Sequence, residues 1–175
     1  MKRETVEIII VGATLCALTS FVFAAAVGIT VNQIDDSGVG KSLGSVKVED
    51  SKDGLVVMTD LKGLAPGHHG FHVHENASCE PKEKDGKMVA GLAAGSHYDP
   101  GKTGKHEGPN GMGHLGDLPP LVVDKDGSSK LRLVAPRLKL ADVNGRALMI
   151  HEGGDNFSDN PKPLGGGGGR IACGL

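Results

Sequence analysis

All eight histidines of this chain lie beyond residue 67, and four of them, His68, His69, His72 and His74, fall close together. In the string GFHVHE (70–75), His72 and His74 are two residues apart. On a strand that spacing puts both imidazoles on one face. Neutral imidazole is a poor core residue and a good ligand for copper and zinc. His97, His106 and His114 follow in a long polar stretch, Asp117 comes three residues after His114, and His151 precedes Glu152-Gly-Gly-Asp155. Three imidazoles with one carboxylate suit a closed zinc site. A single histidine is ordinarily a satisfied surface or core residue, and that reading fits His68. So many ligand-type residues around one stretch point to a metal centre instead, without fixing the number of ions.

The elements that must position these residues read as strands. Twenty-eight glycines, nine prolines, no tryptophan and little helical periodicity argue against a helical protein. Segments 45–49, 55–59, 69–74, 121–123, 130–134 and 147–151 alternate or are β-branched. Asp53-Gly54, Asp126-Gly127 and Asn144-Gly145 supply turn chemistry between them. That spacing predicts an antiparallel sandwich or barrel. Stretches 75–118 and 152–169 do not fit the strand pattern, and the second ends in five consecutive glycines, 165–169. A loop as long as the first needs something to order it. A metal can do so, because binding free energy then becomes folding free energy. The glycine run reads as a tight turn into the last strand, and also as a close backbone approach to the site.

Lys2 and Arg3, the apolar run at 8–23 and Ala24-Ala25-Ala26 read as a secretory signal peptide cleaved after Ala26, leaving one domain over 27–175. An uncleaved anchor is the alternative, with a run short for a membrane span. Lipidation at Cys16 is disfavoured by Leu15 in the preceding position. Without the signal, Cys79 and Cys173 remain, a pair that an oxidising compartment joins in a disulfide. The formal charge of −2, with no basic cluster, argues against nucleic acid, and no amphipathic membrane helix is evident. Gly101-Lys102-Thr103 resembles the end of a phosphate-binding loop, but position 96 is Ser96 where that motif needs glycine.

In combination, the strings HGFHVHE (69–75), GSHYDP (95–100), GHLGD (113–117), IHEGGD (150–155) and GRIACG (169–174) make the chain resemble a copper/zinc superoxide dismutase of the bacterial periplasmic type. The resemblance implies an all-β Greek-key antiparallel sandwich or barrel with two long functional loops, an architecture in which this family is itself counted. It implies one copper and one zinc per chain. His72, His74 and His151 would bind copper, His97 would bridge both ions, and His106, His114 and Asp117 would complete the zinc site. Asp155 would orient His72 and His106, Cys79 would pair with Cys173, and His69 would support the copper strand. Arg170 would be the catalytic arginine beside the copper, with His97 carrying a proton to the departing peroxide. Lys162 and Asp159 would shape the channel field. The implied activity converts superoxide to dioxygen and hydrogen peroxide by alternate reduction and oxidation of the copper. The implied setting is the periplasm, without stable membrane association after signal cleavage, as a monomer or a homodimer. The alternative is a non-catalytic periplasmic copper/zinc-binding protein on the same scaffold. Loss of Arg170 or of a copper ligand would favour it, and none is missing.

Overall fold

The computed structural model describes residues 26–175. The segment read as a signal peptide, apart from Ala26, and with it Cys16, therefore lies outside the described residues. The chain runs through β1 (Ala26–Asp35), β2 (Gly38–Ser51), β3 (Gly54–Lys62), β4 (Gly67–His69) and β5 (Phe71–His74) before the first long loop. That loop carries a small hairpin, β6 (Lys82–Lys84) and β7 (Lys87–Val89). There follow β8 (Leu121–Val123), β9 (Ser128–Ser129), β10 (Arg132–Ala135), one short helix α1 (Leu140–Val143), β11 (Ala147–His151), the second long loop and β12 (Arg170–Gly174). Eight strands form one antiparallel sheet, ordered β10-β3-β2-β1-β12-β11-β5 with β9 attached to β3, and it curls into a half-barrel. β4 and β8 form a separate ladder. Among the described residues no helix is long and apolar enough to cross a membrane.

Strand parity sorts the side chains between the two faces of this sheet. Phe71 and Val73 of β5, with Leu148 and Ile150 of β11 and Ala172 of β12, join Ile29, Val31, Val46 and Val57 in the barrel core. The intervening residues face the other way. There Ala147, Met149, Ile34 and Ala94 pack around the Cys79–Cys173 disulfide. His72, His74 and His151 share that outer parity, so the histidine site lies on the outside of the sheet under the long loops. β5 is buried along its whole length because core covers one face and the site covers the other.

The predicted strand over 69–74 is interrupted. Gly70 donates its N–H to Gly153 O at 2.7 Å and accepts from His151 N at 2.8 Å. The chain breaks there into β4, which leaves to pair with β8, and β5, which stays on β11. The predicted strand over 130–134 starts later, at Arg132, as β10, and the pair Ser128–Ser129 ahead of it forms β9. Asp53-Gly54 and Asp126-Gly127 form turns as read, whereas Asn144-Gly145 follows α1 and does not join two strands. β1 was not among the predicted strands, although Val27, Ile29 and Val31 alternate in it.

The disulfide ties the first loop to β12, its Cα atoms 5.7 Å apart and its cysteines 94 residues apart in sequence. Replacing both cysteines by serine should lower stability by up to about 5 kcal/mol on the chain-entropy model. The urea midpoint of the fully metal-loaded protein reads this, and an unchanged midpoint would show that the loop is held by other contacts.

Candidate metal centre

Sheet register assembles half of the site. His72 and His74 project from one face of β5, and β11 brings His151 beside them. β5 is the last strand of the sheet, and two pieces of the first loop cover its free edge. Val73 donates to Gly116 O and accepts from Tyr98 N, both at 2.8 Å, and Tyr98 O accepts from Gly116 N at 2.8 Å. This lacing sets His97 against His74 and Asp117 against His72. His106 and His114 come from the loop between them. His72, His74, His97, His106, His114, Asp117 and His151 are all buried. Two overlapping groups each place one donor atom per residue within 4.8 Å of the others: His72, His74, His97 and His151, and His72, His97, His106 and Asp117. His114 joins the second side, its Nδ1 3.7 Å from Asp117 Oδ1.

Hydrogen bonds dictate which nitrogen of each ring is left for a metal. Asp155, its carboxylate buried, accepts from His72 Nε2 and from His106 Nε2, each at 2.7 Å. An ionised carboxylate only accepts, so those hydrogens sit on Nε2 and both rings turn Nδ1 inward. His74 Nδ1 donates to Gly95 O at 3.0 Å, and His151 Nδ1 to Gly168 O at 3.3 Å. Their Nε2 atoms are then both acceptors, and they face each other 3.4 Å apart. Two lone pairs in that position repel unless a cation lies between them. His72 Nδ1, His97 Nε2, His106 Nδ1 and His114 Nδ1 are buried with no hydrogen-bond partner. His106 Nδ1 stands 3.0 Å from Asp117 Oδ2, off the line a hydrogen bond needs. Orphaned buried nitrogens are unfavourable, and a divalent cation on each side satisfies them. The residues fit such ions.

Burial favours the neutral form for four of these rings. Burial, and then the neighbouring His97, pushes His72 down to about 3 and His151 down to about 4. Burial lowers His74 and His97 as well. His106 goes the other way: burial opposes its charge, but Asp117 and Asp155 outweigh burial and lift it to about 9. The same contacts, His106 first, hold both carboxylates well below their usual range although burial alone would raise them.

Comparison with known proteins decides the family. A profile described as "Copper/zinc superoxide dismutase (SODC)" matches residues 42–175. The chain belongs to the copper/zinc superoxide dismutase family. Superoxide dismutase [Cu-Zn] 2 of Salmonella typhimurium is 57% identical over 153 residues, covering 87% of this chain and 88% of the relative. The solved Cu/Zn superoxide dismutase from Brucella abortus superimposes with a TM-score of 0.85 at 51% identity, covering 86% of this chain and 99% of that one. The solution structure of the monomeric enzyme from Salmonella enterica gives 0.78 at 56% identity, covering 86% of this chain and 99% of that one. Family membership makes this chain a superoxide dismutase of the copper/zinc type, an oxidoreductase with copper and zinc as its metals.

Within the family framework, Arg170 stands directly opposite His151. The β11–β12 register slips between Ile150 and His151, so that Arg170, and not Ile171, is the partner of His151. Opposite residues on antiparallel strands share a face, and the bulge therefore aims Arg170 at the histidines. Its Nη1 and Nη2 donate to Gly91 O at 2.5 Å and Gly95 O at 2.7 Å. Gly95 O thus holds both His74 and Arg170. Those carbonyls, and Gly168 O, carry no signature in the sequence. His69 sits between the carbonyls of Ala65 and His151, 2.8 Å from each. His68 is exposed on β4. Both readings of the glycine run apply. Gly165, Gly166 and Gly168 have positive φ, and a Cβ on Gly165 would lie 2.8 Å from His106 Nε2 and closer still to Asp155 Oδ1. The carboxylate of Asp159 accepts the backbone N–H groups of His106 and Leu164.

A cation on His106 Nδ1 must displace the proton held there. With a folded-state value near 9, His106 is protonated in metal-free protein at neutral pH. Zinc(II) binding near neutral pH should therefore release about one proton per chain, and the release should fade as the pH rises above that value. Calorimetry in buffers of different ionisation enthalpy measures it; no release would place the metal away from His106.

Proposed function

We propose that His72, His74, His97 and His151 hold the copper of this superoxide dismutase and that His97, His106, His114 and Asp117 hold the zinc. The observation that carries this division is His97, which turns Nδ1 to Asp117 at 3.1 Å and leaves Nε2 free on the opposite side. His72 is near both groups but has one nitrogen to give, because Asp155 takes the other. His97 is thus the residue suited to bridge.

Two superoxide anions and two protons become dioxygen and hydrogen peroxide. Like charges keep two superoxides apart, so the reaction is divided into two one-electron halves. Bound copper supplies the one-electron couple, and zinc supplies charge without redox chemistry. Arg170 binds the incoming anion, fixed in direction by the carbonyls of Gly91 and Gly95. Burial lowers its pKa from the ordinary arginine value. Steering by such a charge, of which this family is a standard example, can raise on-rates about 10–1000-fold. His97 Nε2 is the atom we assign to hold a proton and pass it to the departing peroxide, while Nδ1, on the Asp117 side, would stay with the zinc.

We further propose that residues 1–26 are removed on export and that residues 27–175 work in the periplasm. The Cys79–Cys173 disulfide supports an oxidising compartment.

His151→Ala should lose copper and turnover while keeping zinc. Arg170→Gln should keep both metals, lower kcat/KM by about 10-fold or more, and flatten its dependence on ionic strength. Metal analysis beside stopped-flow superoxide decay tests both. Full metal loading of the unaltered protein without turnover would support instead a non-catalytic metal-binding protein on this scaffold.

A further inference from the structure

We propose that Asp159 is a positioning residue for the zinc-side ligands: by accepting the backbone N–H groups of His106 and Leu164, it makes closure of the 156–165 segment and placement of the His106 ring one event. The inference rests on the zinc assignment above. Asp159 Oδ2 lies 2.9 Å from His106 N, and Oδ1 lies 3.0 Å from Leu164 N. His106 is therefore gripped twice by one short segment, at its ring by Asp155 and at its main chain by Asp159. One contact alone fixes the tilt of the ring; the pair also fixes where its Cα stands.

The second oxygen of Asp159 closes the segment on itself. Leu164 has φ 54, a left-handed conformation that side chains other than glycine rarely adopt, and its side chain is exposed. Such backbone persists only where its surroundings over-determine it. Here hydrogen bonds supply the constraint: Leu164 N to Asp159, Gly165 N to Ser158 O at 3.0 Å, and Asn156 N to Gly165 O at 3.1 Å. Held this way, Gly165 lies directly over the Asp155–His106 hydrogen bond with no room for a Cβ. Coupling of this kind is reciprocal: if closure of the segment improves zinc binding, zinc must favour closure by the same factor.

The test compares metal-free wild type with Asp159→Asn, which keeps the shape and one acceptor but turns the other oxygen into a donor. Zinc(II) affinity is read by chelator competition, and exchange of the Leu164 amide by NMR with and without zinc(II). Wild type should show zinc slowing Leu164 exchange. The variant should bind zinc about 10-fold more weakly, in the range usual for loss of a group that orients a ligand, with Leu164 exchange no longer responding to zinc. The deficit should persist at about 1 M salt, where a purely charge-based effect is screened. Lys162→Ala, on the same segment, should leave zinc affinity unchanged. Equal affinities in wild type and Asp159→Asn, a deficit abolished by salt, or an equal loss in Lys162→Ala would each overturn the inference. A wild type that takes up no zinc would overturn the zinc assignment and the inference with it.

Discussion

The structure depends on a convergence of lone pairs. Hydrogen-bond acceptors behind the rings, namely Asp155, Gly95 O and Gly168 O, force His72, His74 and His151 each to turn a bare nitrogen toward its neighbours. Buried and facing one another, those nitrogens gain nothing from protein or water, and only cations satisfy them together. Much of the fold follows from meeting that condition. The outer face of β5 and β11 must be roofed to keep water out, and the roof consists of two long, largely polar loops. Besides the apolar anchors of the first, Ala94 and Leu118, they are held by the disulfide, by lacing to the edge of β5, and by carboxylates that reach from one loop to the other.

The parts legible in the sequence were those with a periodic or chemical signature. The two-residue spacing of His72 and His74, the turn at Asp53-Gly54 and the alternation at 45–49 each encode local geometry that survives in the fold. His106, His114 and Asp117 were legible by residue type, not by position, because no local pattern says where a long loop will return. What escaped was carried by backbone. The carbonyls of Gly91 and Gly95 that clamp Arg170 have no side-chain signal. The slip that sets Arg170 opposite His151 depends on pairing between strands and is invisible in either strand alone. The break at Gly70 was hidden for the same reason: the strand pattern runs through it, and the bonds that stop it come from His151 and Gly153. The backbone partners of Asp159 escaped too, because sequence reports a carboxylate's charge and not what it accepts.

The two sides of the centre are built from different material, and the difference suits the role proposed for each. His72, His74 and His151 stand on strands whose register is fixed by the sheet and whose opposite faces are locked into the core. Reorganisation on that side would have to disturb core packing around Phe71, Val73, Leu148 and Ile150. A one-electron couple works best where donor atoms are already placed and need not rearrange as charge changes. His106, His114 and Asp117 stand on loop backbone ordered by cross-links and hydrogen bonds, adequate for an ion whose charge never changes. His97 lies at the boundary, laced to the sheet edge through its neighbour Tyr98 and anchored through Nδ1 to the loop-borne Asp117. Of the candidate ligands it is the one whose free nitrogen faces the sheet-built side while its fixed nitrogen is held by the loop-built side. A ring in that position can shift at Nε2 without loosening either framework, which is the freedom a proton carrier between two rigid halves requires.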